Sequence, residues 1–290
     1  MNLDSAKEFV NRFQKKYPFI KPELMRAGGG VILNRILAET RAGRNAWDVA
    51  MGRGETYRPL RERELLSPYS SLEATMYPED LRDKEGYWYA VFLNANVLAF
   101  NTKLVGKEEL PRGYQDLLNP KWKKQKLSID VEGWALISGL SNAWGKEKAI
   151  SYLRKVAAQQ PAIKRGNALR ASLVAAGETP IAIAYAGSIQ ELTDRGAPID
   201  WIPLEPVVVQ VYPMMLAAKA PNPNAAKLFI DFVLSKESQE VIRGFSRIPA
   251  RKDVEPDPPR LRQFKRVIDD PGKLNVDETA KVFNEIFGLR

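Results

Sequence analysis

Residues 46–52, AWDVAMG, read as a short apolar strand running into a glycine turn, and an amphipathic helix follows from about Thr56 to Leu66. The order recurs further on. Lys126–Asp130 read as a strand, Val131–Trp134 as a turn that opens the next helix, and Gly177-Glu178 as a helix stop before a short apolar strand. A chain that alternates strand, glycine turn and helix folds as a parallel α/β sheet, since each helix carries the chain back across the sheet. The ligand loops of such a sheet lie at the C-terminal ends of its strands.

The remaining segments fit around this pattern. Leu3, Ala6, Phe9, Val10, Phe13 and Tyr17 share one helical face, with Ser5 and Glu8 spaced as a capping box. Residues 17–27, YPFIKPELMRA, are expected to form a short strand, and Gly28–Gly30 to open a helix through Val31, Leu33, Ile36 and Leu37. Two long β-rich runs, at 87–105 and 207–218, are candidates for strands that carry the chain from one domain to another and back. Lys146–Ala158 read as a helix, and Pro223 sits at the first position of another whose apolar face is Ala226, Phe229, Ile230 and Val233. The next helix ends at Gly244.

Composition limits the chemistry. A chain of 290 residues accommodates two domains of ordinary size. Its 44 basic and 35 acidic residues are interleaved, so the net charge of +9 does not form a nucleic-acid stripe; it favours anionic small ligands or surfaces. There is no cysteine and no histidine. Disulfides, thiolate metal sites and Ser-His-Asp catalysis are therefore excluded, and any bound metal would need oxygen ligands. No cofactor is expected. No apolar run reaches the length of a membrane span, and the first ten residues lack the basic and apolar regions of a signal peptide.

Seven phrases in order carry a family resemblance: FVNRFQKKYPFIK, RILAETRAG, WDVAMG, VLAFNTKLV, DLLNPKWKKQKLSID, AAGETPIAIAY and NPNAAKLFIDFVLSKESQEVI. The chain resembles the periplasmic solute-binding proteins of bacterial ABC importers, in the type II fold and nearest the ferric-iron-binding branch. The resemblance implies an α/β protein of two lobes joined by two crossover strands, with the ligand held between lobes that close like a hinge. The expected division is 1–98 in the first lobe, 99–205 in the second and 206–290 back in the first. It also implies a monomer outside the cytoplasm, usually in the periplasm, that hands its ligand to a permease and performs no catalysis. Family members carry a signal peptide and a first strand ahead of the first helix. This sequence begins with that helix, so it is expected to start at an internal methionine or to be trimmed.

The resemblance implies that ligands sit at helix starts, where unpaired N–H groups and the positive dipole end hold anions, and four loops fit that description. In the first lobe they are Arg26 with Gly28, Gly29 and Gly30, and the turn containing Arg53 and Glu55; in the second they are Asp130, Gly133 and Trp134, and Arg165 with Asn167. Each has a plainer explanation. Glycines start helices for backbone reasons, Arg53 and Glu55 suit a surface turn, and Asn167 suits a helix N-cap. In the ferric branch an iron-binding carboxylate falls near Arg53 or Glu55, and an asparagine that contacts an anion falls at Asn167. That branch also uses adjacent tyrosines where this chain has Gly187 and Ser188. Tyr185 is accordingly expected as a wall of the pocket, with Ser188 beside it, and Tyr185 and Glu55 as metal ligands only if the cargo is Fe(III). Trp88, Tyr89, Trp134 and Trp201 are expected mainly as core.

The expected activity is capture of a small anionic ligand, with phosphonates, carboxylates, sulfonates and ferric-anion complexes all fitting the inventory. Alternatives are a ferric-binding protein, an enzyme of the same fold such as a pyrimidine synthase, and a cytoplasmic ligand sensor.

Overall fold

The computed structural model describes residues 3–273 and 275–289. The chain begins with α1 (Leu3–Lys16), α2 (Gly29–Arg41), β1 (Val49–Met51), α3 (Gly54–Glu62), β2 (Leu66–Ser67) and the long strand β3 (Tyr89–Asn101). It continues through β4 (Leu127–Asp130), α4 (Trp134–Trp144), α5 (Lys146–Ala157), β5 (Ala162–Lys164), α6 (Asn167–Ala175), β6 (Ile181–Tyr185), α7 (Ala186–Asp194) and β7 (Ile199–Ile202). The second long strand, β8 (Val207–Ala217), leads into α8 (Pro223–Leu234), α9 (Lys236–Gly244), β9 (Ile248–Pro249), β10 (Arg266–Asp269) and α10 (Val276–Phe287). Among the described residues no helix is long and apolar enough to cross a membrane.

The chain divides into two compact units. Unit 1 holds the residues up to Leu93 and Val211–Glu255; unit 2 holds Asn94–Gln210 and the segment from Pro256 onward. Two of the three divisions fall inside strands, β3 and β8, which are the two β-rich runs of the sequence; the third, between Glu255 and Pro256, lies in a loop.

In unit 1, Met214–Leu216 of β8 pair antiparallel with β1, and Phe92-Leu93 of β3 with β9. Phe92 stacks on Tyr212 at a ring separation of 4.4 Å. The apolar face of α1 packs on α8, where Phe13 meets Phe229 edge-on at 5.0 Å and Phe232 at 5.4 Å. Pro223 begins α8 as expected, since a first-turn position needs no N–H partner.

In unit 2, β4 is parallel to both β5 and β6, while β3 pairs antiparallel with β6 on one side and β7 on the other. The order is therefore β7-β3-β6-β4-β5, and the C-terminal ends of β4, β5 and β6 line one edge. β10 runs parallel to Val207–Gln210. The core gathers Leu98, Leu127, Leu140, Leu153, Ile181 and Phe283 with their neighbours.

Three expectations change. Residues 17–27 form no strand; Pro18 and Pro22 remove two ladder donors, and Phe19 is 80% exposed. Ser5 and Glu8 form no capping box, because α1 starts ahead of Ser5, and Glu8 instead pairs with Arg12 at 2.7 Å. The C-terminal segment packs with unit 2 rather than with the first lobe, to which the sequence reading assigned all of 206–290. The cause is the apolar face of α10, which buries Phe283 in the core of unit 2.

Candidate functional site

Two helix starts meet in unit 1. Gly28 is the N-cap of α2 and Arg53 that of α3, and neither start is closed by a side-chain hydrogen bond. A methyl group on Gly29 would lie 2.8 Å from Glu55 Oε1 and 3.1 Å from Thr56 Oγ1, so any side chain there would push the Glu55 carboxylate aside. Glu55 Oε1 accepts from Arg53 Nε at 2.9 Å, and the Glu55 side chain is 16% exposed. Its Oε2 is buried with no hydrogen-bond partner, as is Oγ1 of Thr56. The Glu55 carboxylate thus sits against the positive ends of two helices with one oxygen still able to accept a bond. Arg26 is exposed in the approach to α2, and Gly30 is exposed in its first turn.

The candidates of unit 2 lie along the edge formed by the strand ends. α4, α6 and α7 follow β4, β5 and β6 and start at Gly133, Gly166 and Tyr185, none with a side-chain cap. Gly166 has φ +98, a conformation that favours glycine. The helices α9 and α10 are capped by Ser235 and Asn275. Absent caps are shared by α5 and α8, so it is the position at parallel strand ends that sets these three starts apart.

Individual side chains are committed in different ways. Asp130 Oδ2 accepts from Arg170 Nη1 at 2.5 Å and its Oδ1 from the backbone N–H of Glu132 at 2.9 Å. Arg165, 73% exposed, reaches Glu132 at 2.5 Å. Asn167 is the first residue of α6 and not its N-cap; its Oδ1 accepts from Arg170 Nη2 at 2.7 Å. The Tyr185 hydroxyl donates to Gln210 Oε1 at 2.5 Å. Ser188 stands half-buried in the first turn of α7. Gly133 lies under the ring of Phe283, and Trp134 is buried in the core, as are Trp88, Tyr89 and Trp201.

Sequence reasoning missed Arg170, Thr56 and Gln210. Arg170 had a usable signal: it is a lone charge on the α6 face that carries Ala171 and Val174. Thr56 and Gln210 become visible only when packing is known. Among the described residues no group of three or more acidic side chains gathers to hold a metal.

The two α/β units, with β3 and β8 running through both, match the fold of type II periplasmic binding proteins. The model of the bacterial extracellular solute-binding protein family matches residues 48–270, and the chain belongs to that family. A putative 2-aminoethylphosphonate-binding periplasmic protein of Salmonella typhi is 26% identical over 242 residues, covering 79% of this chain and 69% of its own. The crystal structure of iron-bound HitA from Pseudomonas aeruginosa superposes with a TM-score of 0.85 at 20% identity, over 99% of this chain and 96% of that one. AfuA from Actinobacillus pleuropneumoniae, solved with bound fructose-6-phosphate, superposes with a TM-score of 0.80 at 24% identity, over 98% and 94%.

Proposed function

We propose that this chain is the solute-binding component of an ABC importer, working as a monomer in the periplasm or outside the cell, and that its ligand carries an oxyanion of the phosphonate or phosphate-ester kind. One observation carries the reading. Along the β4, β5 and β6 edge, three helix starts without side-chain caps adjoin carboxylates already matched by arginine, Asp130 by Arg170 and Glu132 by Arg165. Such an edge offers N–H donors to an anion without an opposing unpaired negative charge. The phosphonate-binding and fructose-6-phosphate-bound relatives support the same class. Binding without turnover is enough for the role.

A second reading, Fe(III) as cargo, draws on the unpartnered Oε2 of Glu55 and on the iron-bound relative. It requires Tyr185 to give up its bond to Gln210 and ionise.

Thermal-shift and calorimetric titrations separate the two, using inorganic phosphate, sulfate, 2-aminoethylphosphonate, fructose 6-phosphate, citrate and ferric citrate. Stabilisation by a phosphonate or phosphate ester supports the first reading. Stabilisation by the ferric salt alone, abolished in Tyr185→Phe, overturns it. Light scattering checks the monomer.

A further inference from the structure

Arg170 is 1% exposed and spans three strands and a helix start. Its Nη1 donates to Asp130 Oδ2 at 2.5 Å, at the end of β4, and to the carbonyl of Lys164 at 3.1 Å, at the end of β5. Its Nε donates to the carbonyl of Ile183 in β6 at 3.0 Å, and Nη2 to Asn167 Oδ1 at the start of α6 at 2.7 Å. A guanidinium presents its donors in a rigid planar fork, so these bonds fix the relative positions of their partners; a lysine ammonium has no such fork.

We propose that Arg170 is a positioning residue for ligand capture by unit 2, cancelling the charge of Asp130 beside the α4 and α6 starts while tying those starts to the strand ends. The proposal rests on the oxyanion reading above. Asp130 enters the turn into α4 through its bond from the Glu132 N–H, so the ion pair links both helix starts. Mechanical connection alone does not require charge, because apolar side chains of similar volume replace buried ion pairs at little or no cost. An ionic tie at an edge meant for an anion has a further effect: without Arg170, the Asp130 carboxylate would oppose the ligand at short range.

The test uses Arg170→Gln, Asp130→Asn and the double variant, titrated calorimetrically with inorganic phosphate and 2-aminoethylphosphonate, with thermal midpoints recorded in parallel. Both single variants lower the midpoint, since Asp130→Asn leaves the buried Arg170 without its counter-charge and Arg170→Gln leaves the partly buried Asp130 without its own. Their affinities move in opposite directions. Arg170→Gln weakens oxyanion binding by about tenfold or more, Asp130→Asn tightens it about threefold, and the double variant falls between them. A merely structural role makes affinity follow stability, so both single variants would weaken binding together, and that result overturns the proposal. If Arg170→Gln does not fold, Asp130→Asn decides: tighter binding supports the proposal, and unchanged or weaker binding overturns it. Wild-type protein that binds neither probe overturns the oxyanion reading and this proposal with it; wild-type binding that Arg170→Gln leaves unchanged overturns this proposal alone.

Discussion

The ring of Phe283 lies against Gly133, its Cε2 atom 2.5 Å from the point that a methyl group on the glycine would occupy. The C-terminal helix therefore packs onto the start of α4, and the glycine is needed for the ring above it. Gly133→Ala must displace the ring and is expected to cost about 1–3 kcal/mol. Phe283→Ala removes a fully buried ring and is expected to cost about 3–5 kcal/mol. Urea unfolding of both variants and of their combination checks the contact. The double variant loses less than the sum of the two, because the methyl group then enters the space that the ring left; simple additivity would refute the close packing.

Glu55→Gln distinguishes the two cargo readings. The substitution keeps the oxygen that accepts from Arg53 and removes the negative charge at the α2 and α3 starts. For an oxyanion held at the β4, β5 and β6 edge of unit 2, affinity for inorganic phosphate stays within about twofold. For Fe(III) cargo, the variant loses an anionic ligand and ferric affinity collapses. Parallel titrations with phosphate and ferric citrate give the answer.

Burial raises the phenol pKa of Tyr114 and Tyr152 above the ordinary tyrosine value, in Tyr152 with a smaller contribution from Tyr114. Below about pH 10 both are protonated in the folded and unfolded chain alike. Above it the unfolded chain ionises first and binds fewer protons, so stability falls with rising pH, by up to about 1.4 kcal/mol per pH unit per tyrosine. Unfolding free energies at pH 8, 10 and 11 should show this alkaline loss. Tyr152→Phe makes it shallower, at the expense near neutrality of about 1 kcal/mol for the hydrogen bond to the Tyr114 carbonyl. An equally steep loss in the variant would exclude Tyr152 as a source.

In unit 1, Arg251 donates to Glu73, to Asp253 at 2.7 Å and to the Leu234 carbonyl at 3.1 Å. Arg251→Met leaves two carboxylates and a helix-end carbonyl without their shared donor. Because Glu73 and Asp253 are partly exposed, the expected loss is about 2–3 kcal/mol, below that of a fully buried pair. Chemical denaturation measures it, and a change under 0.5 kcal/mol would mean that water replaces the arginine.

Local patterns made much of the fold legible. The glycine triplet at the start of α2, Pro223 at the head of α8 and the two runs that became β3 and β8 each encode their element within a few residues. Residues 17–27 misled, because their apolar side chains resemble a strand while the prolines prevent full pairing. The placement of α10 could not be read at all, since an amphipathic face declares that it is buried and not against what. The candidate loops were legible as helix starts. The commitments of their side chains were not: Arg170 finds Asp130, Lys164 and Ile183 only through the order β6-β4-β5, which is a tertiary fact.

The affiliation of the C-terminal segment with unit 2 imposes a timetable on biogenesis. A polypeptide made from its N-terminus presents the residues of unit 1 once Glu255 has emerged, whereas unit 2 still awaits β10 and the Phe283 ring. Until then the starts of α4 and its neighbours lack their final support, and the nascent chain carries one completed unit beside one with an open core. An interruption of synthesis after residue 255 would thus leave unit 1 whole and the proposed anion edge of unit 2 unfinished.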